Sequence, residues 1–180
     1  MTSDSLQAAP NSARIGPFFV SQVIHNLRDY GGYAIPGGGR VRIGVFNPGT
    51  GEWGFIHYPL DAAAEGGWVG LSELTSIGNG QFLVIERDNQ IGDAAKVKKI
   101  FKISAGQMMP AALGTELPVV TKEEVLDFIP DLKAATNGYV VDKVEGFAID
   151  ADGEAFIVTD NDGVDDSSGE TLFWSVGRVE

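Results

Sequence analysis

The sequence predicts an all-β protein, a partial β-propeller of about three antiparallel blades with one short inserted helix. Three observations carry that reading. The 24 glycines among 180 residues fall largely between short β-branched and aromatic runs, as tight turns between strands require. Two stretches repeat each other: residues 73–89 and 145–161 each read as an acid, a strand, a Gly turn, a strand and Asp-Asn, offset by 72 residues (145 − 73). Finally, Phe82-Leu-Val-Ile85 and Ala155-Phe-Ile-Val158 are apolar at consecutive positions, so both faces of each strand are expected to be covered. Antiparallel sheets stacked as blades meet that requirement, whereas a single sheet with one wet face would alternate.

Taken in order, residues 1–17 are small and polar with two prolines and read as a poorly ordered lead-in to one domain over 18–180. Phe18 to Leu27 is apolar and fits a strand or a buried helical turn equally well. Val41 to Phe46 and Glu52 to Tyr58 flank Asn47-Pro-Gly-Thr-Gly51, a hairpin loop rich in residues that take positive φ. The first repeat gives strands at 73–77 and 81–87 around Gly78-Asn79-Gly80, followed by a strand at 97–103. Thr121-Lys-Glu-Glu124 fits a capping box opening a short helix through Leu126 and Phe128 that stops near Pro130. The second repeat gives strands at 145–149 and 154–159, and Thr171 to Val179 supplies the last one. Trp53, Trp68 and Trp174 read as core and blade-packing residues.

Bulk properties narrow the partners. With 25 acidic against 13 basic residues the net charge is −12, which opposes nucleic acid or an anionic membrane as partner. The absence of cysteine excludes disulfides and thiolate metal sites. No apolar run reaches the length of a membrane helix, and the first residues lack the basic and apolar regions of a secretory signal. The compartment is therefore unassigned from the chain itself. Three blades do not easily close a ring, so exposed blade edges and faces are expected to drive self-association.

The repeats place the candidate chemistry. In a hairpin, Glu145 and Asp160 would face each other at its open end, as would Glu73 and Asp88 in the first copy. Adjacent blades would bring these acids, with Asn89 and Asn161, to one channel. Such hard oxygen donors suit Ca²⁺, with Mg²⁺ as the alternative. The expected metal set is Glu73, Asp88, Glu145, Asp160 and Asn161, with Arg87 beside it to pair with a carboxylate or meet an anionic oxygen. Asp160-Asn-Asp-Gly-Val-Asp-Asp166 departs from the helix-flanked calcium loop, since Val164 stands where an oxygen donor is needed. His25 and His57 read as packed or surface residues, and neither a Gly-x-Ser-x-Gly elbow nor a phosphate loop is present.

Gly70-Leu-Ser-Glu73, Phe82-Leu-Val-Ile-Glu-Arg-Asp-Asn89, Lys98-Lys-Ile-Phe-Lys102, Val144-Glu-Gly-Phe-Ala148 and Thr159-Asp-Asn-Asp162 together resemble the phytase-like family described as esterase-like activity of phytase. The hairpin ending Tyr58-Pro-Leu60 resembles it too, and the chain looks like the C-terminal half of a member. The resemblance implies a bacterial, periplasmic or secreted β-propeller and metal-assisted hydrolysis of a phosphate or carboxylic ester, a small-molecule substrate. It implies Arg87, Glu145 and Asp160 as catalytic residues beside the carboxylate-held ion. The alternatives are a non-catalytic propeller fragment that binds a divalent metal or a partner, and a lactonase-type propeller enzyme similar to the regucalcin and gluconolactonase group.

Overall fold

A computed structural model describes residues 39–105, 108–161 and 171–179, together with the backbone of two early strands. The strands form three antiparallel sheets, each a simple meander in chain order. The first holds β1 (Ala13–Ile15), β2 (Phe18–Ile24), β3 (Arg40–Asn47) and β4 (Glu52–Pro59). The second holds β5 (Val69–Gly78), β6 (Gln81–Asp88), β7 (Lys98–Ser104) and β8 (Lys122–Asp127). The third holds β9 (Val144–Ile149), β10 (Glu154–Thr159) and β11 (Phe173–Arg178). The fold is thus the expected all-β, partial propeller of three blades. Apart from β1, the lead-in 1–17 lies outside the described residues.

Turn chemistry fixes the hairpins. Asn79 and Gly80 both take left-handed φ, 52° and 72°, and form the two-residue connection whose twist suits the flanking strands. Gly153, at φ 83°, closes the corresponding turn of the third sheet, where Asp150 Oδ1 accepts the N–H groups of Asp152 and Glu154.

Strand β6 is the spine of the molecule. Its alternate residues enter two separate cores: Phe82 and Val84 pack with Val41, Ile43, Ile56 and Tyr58 of the first sheet. Leu83 and Ile85 pack with Val144, Phe147, Ala155 and Ile157 of the third. Its four apolar residues are 0–2% exposed, so the continuous apolar run is explained by cover on both sides. The matching expectation for β10 does not hold. Ala155 and Ile157 are buried, but Phe156 and Val158 are half-buried, and Phe156 stacks on exposed Phe173 with ring centroids 5.4 Å apart.

The inserted helix is present but lies one element later than the capping-box pattern suggests. Residues Lys122–Asp127 form strand β8, because β7 offers an open edge and cross-strand cations: Lys99 Nζ meets Glu124 Oε2 at 2.7 Å and Lys102 Nζ meets Glu123 Oε2 at 3.6 Å. Helix α1 (Ile129–Ala135) then begins with Pro130 in its first turn, where the missing N–H is harmless. Pro130 therefore opens this helix instead of stopping one. Asp127 Oδ1 accepts the Ile129 N–H, and Asn137 and Gly138 leave the helix in left-handed conformation.

The connection between β7 and β8 leaves its own sheet and runs along the outer edge of β4. Phe55 and Ala111 exchange both backbone hydrogen bonds, at 2.9 and 3.0 Å, while His57 donates to Pro118 and accepts from Val120. The Cβ that Gly54 lacks would stand 2.5 Å from Pro110 Cβ, so this close approach requires glycine. Among the described residues no helix is long and apolar enough to cross a membrane.

Candidate functional site

The last three residues of β6, Glu86, Arg87 and Asp88, follow directly on its apolar run and are all buried. Strand alternation sends them to different neighbours. Glu86 faces the first sheet. Its Oε2 accepts from Tyr58 Oη at 2.7 Å and Lys122 Nζ at 2.6 Å, and its Oε1 accepts the Asp61 N–H at 2.5 Å. Lys122 also lies 4.0 Å from the Phe101 ring centroid and 2.7 Å from Asp61 Oδ1. Burial raises the Glu86 pKa, opposed by the bonds from Lys122, Asp61 and Tyr58. Burial, and then the Glu86 charge, push the Tyr58 phenol far above its ordinary value, so it is the donor in that pair.

Arg87 faces the third sheet and spans the seam. Its Nε donates to Ser72 Oγ at 3.2 Å, its Nη1 to Asp142 Oδ1 at 3.1 Å and its Nη2 to Glu145 Oε1 at 2.5 Å, while Trp68 lies 5.3 Å away, ring centroid to guanidinium carbon. Two β-bulges make this possible. The register slips at Ser72 in β5 and at Glu145 in β9, and each slip leaves one extra residue turned toward the guanidinium. Asp88 is sealed. Its Oδ1 meets Lys98 Nζ at 3.0 Å and the Gln90 N–H, and its Oδ2 accepts the Lys96 and Val97 N–H groups at 2.7 and 2.9 Å. Lys98, wholly buried, also donates to the Asp88 and Asp142 carbonyls at 2.7 and 2.8 Å. Burial lowers the Lys98 pKa, with Asp88 and Asp142 pulling it back.

The observed registers correct the expected pairings. Glu73 lies opposite Ile85, and Asp88 lies opposite Val69, so these two acids do not face each other. Glu73 Oε1 instead accepts the Leu74 N–H at 2.9 Å. Asp160 lies beside Lys143, whose carbonyl accepts its N–H at 2.8 Å, and Glu145 is the bulged residue two positions on, so these two acids do not face each other either. Read through the bulges, the structural repeat is offset by 73 residues (145 − 72): Ser72 matches Glu145, Arg87 matches Asp160 and Asp88 matches Asn161. The acid-to-acid match in the sequence is one residue out of structural register.

Of the expected site residues, Arg87 and Glu145 are in direct contact and Asp88 lies behind them on Lys98. Among the described residues no three His, Cys, Asp or Glu side chains gather closely enough to hold a metal ion. Asp88 in particular does not fit the expected Ca²⁺ set, because protein donors occupy both of its oxygens. The acidic stretch after Asn161 lies outside the described residues.

Lys98, Asp142, Ser72 and the Tyr58–Glu86–Lys122 cluster were not among the expected site residues. Their signal was an apolar strand ending in three consecutive charges, followed by Lys98-Lys99 at the start of its hairpin partner. Trp53 and Trp68 are 48% and 39% exposed, so neither is the core residue the sequence suggests.

The fold and the charged seam define a propeller-like protein with an ion-paired cluster between two blades. A family model described as phytase-like, esterase-like activity of phytase, matches residues 20–163, and the chain belongs to that family. No curated protein and no solved structure is significantly similar to it.

Proposed function

We propose that the chain is an ester-hydrolysing domain of the phytase-like family, with Glu145 as its general base at the seam between the second and third sheets. The observation that carries this reading is the state of Glu145. Its side chain is 33% exposed, Arg87 Nη2 fixes Oε1, and Oε2 takes part in no hydrogen bond among the described residues. A carboxylate fixed through one oxygen and one-third exposed can accept the proton of a water attacking the ester carbon or phosphorus. The C–O or P–O bond to the leaving alcohol then breaks, and the proton returns from Glu145 to the alcohol oxygen. Arg87 is a positioning residue, since Ser72, Asp142 and Glu145 occupy all three of its nitrogens. The substrate is a small phosphate or carboxylic ester.

The test is a panel of aryl acetates, aryl phosphates and phytate, assayed with Ca²⁺ and with chelator, on the native chain and on Glu145→Gln. The expected result is turnover that falls about 100-fold or more in the variant, the usual contribution of a positioned base. Turnover that Glu145→Gln leaves intact would reject the assignment. A second reading, a non-catalytic domain that binds a partner, is favoured by the commitment of Asp88 and Arg87 to internal ion pairs, which leaves neither to meet a substrate. It predicts no turnover of any ester, with or without Ca²⁺.

A further inference from the structure

The outer face of the first sheet carries an arrangement the seam does not explain. Directly opposed residues of β3 and β4 share a face, and Val41, Ile43, Val45, Ile56 and Tyr58 fill the core side. The other side presents Arg42 opposite His57, Gly44 opposite Phe55 and Phe46 opposite Trp53, with Arg40 two positions beyond Arg42. Arg40 is exposed, while Arg42 and His57 are half-buried. Among the described residues no carboxylate pairs with any of the three. Elsewhere Arg87, Lys98, Lys99, Lys102, Lys122 and Lys133 each meet an acid within 4 Å.

Arg40 and Arg42 stand two positions apart on one face of β3, and two such cations without a carboxylate between them repel each other in a chain whose 25 acids could have paired them. The two guanidinium charges do act on His57, whose pKa is lowered first by burial and then by Arg40 and Arg42. Beside the cations stands an aromatic wall. Trp53 is half exposed, with Phe46 and Phe55 at centroid distances of 5.1 and 6.4 Å. Its ring leans over Gly44, where a Cβ would come within 3.0 Å of Trp53 Cζ3. The indole therefore lies toward the Arg42–His57 row.

We propose that this face binds a small organic oxyanion, a phosphate or carboxylate carried on a planar apolar ring. Arg42 and Arg40 hold the oxyanion, and Trp53 stacks on the ring. The site is separate from the Glu145 seam and stands whether or not the seam hydrolyses esters. Phenylphosphonate is a suitable probe, because its C–P bond is not an ester and cannot be turned over. Calorimetric titration of the intact chain is expected to give saturable binding. Arg42→Gln and Arg40→Gln should each weaken it about tenfold, the loss of one charge-assisted contact. Trp53→Leu should weaken phenylphosphonate but not inorganic phosphate, and Lys102→Gln, which removes an equal charge elsewhere, should leave binding within about twofold. Thermal melts verify folding of each variant, and exposed Arg40 carries the test should Arg42→Gln be unfolded. Absence of saturation, equal binding by the folded arginine variants, or equal weakening by Lys102→Gln would overturn the proposal.

Discussion

Replacing Lys98 by Met removes the only cation that reaches Asp88 among the described residues. The ammonium makes contacts of 3.0 Å to Asp88 Oδ1, 2.7 Å to the Asp88 carbonyl, 2.8 Å to the Asp142 carbonyl and 3.6 Å to Asp142 Oδ1. Met fills a similar volume but leaves a wholly buried carboxylate without its counter-charge and removes one donor from each of the two carbonyls. Breaking one side of such a pair costs about 3–5 kcal/mol. The cost is not that of the whole pair, because burial already penalises the lysine itself, as its lowered pKa records. The Gln90, Lys96 and Val97 N–H groups continue to hold Asp88. With a urea dependence of about 2 kcal/mol per molar, the midpoint should fall by roughly 1.5–2.5 M. Adding Asp88→Asn removes the stranded charge, so the double variant should lose about 2 kcal/mol less than the sum of the singles. Tryptophan-monitored urea unfolding at neutral pH measures all four species. A loss below about 1 kcal/mol, or strict additivity, would refute the claim that this buried pair holds β6 to β7.

Two further outcomes concern Glu86 on β6 and Gly146 on β9. Glu86 has a folded pKa above its ordinary 4.5, so between those values the native state keeps a proton the unfolded chain has released. Its stabilisation is complete below pH 4.5 and fades as pH rises through the folded value. The stability difference between the native chain and Glu86→Gln should accordingly shrink from pH 4 toward neutrality. Urea midpoints at three pH values check this, and a constant or growing difference would contradict it. At Gly146, beside the Glu145 bulge, an added Cβ would stand 2.6 Å from Val158 Cγ1. Gly146→Ala should cost about 1–3 kcal/mol, with partial recovery in combination with Val158→Ala, read from thermal melts.

Much of the architecture was legible because it rests on local chemistry. The Asn79-Gly80 turn, the Asn47 to Gly51 loop and the unbroken apolar run of β6 follow from φ preference and two-sided burial. The inserted helix was misplaced because a capping-box pattern competes with an open strand edge, and cross-strand pairing to Lys99 and Lys102 prevailed. The candidate site was half legible. Residue symmetry assumes an unbroken ladder about a turn centred between the acids. The first hairpin instead turns at Asn79-Gly80 and slips at Ile77, so Glu73 meets Ile85, three residues short of Asp88, and the bulges at Ser72 and Glu145 each add one further position beyond them. Arg87 and Glu145 were found, but two partners of Arg87 were not: Asp142 lies in no motif, and in Gly70-Leu-Ser-Glu73 the sequence points to the acid in place of Ser72.

The segment that leaves β7 and hydrogen-bonds along β4 has a bearing on how this molecule could be shortened or extended. A blade whose border is sewn by the next blade's connection is not an interchangeable part: excising β5 to β8 would strip the first sheet of the strip at Ala111 and Pro118 to Val120 that closes its margin. Grafts or truncations that respect the modularity of the architecture should therefore join at the Leu60 to Trp68 stretch only when the stitch travels with the piece it fastens.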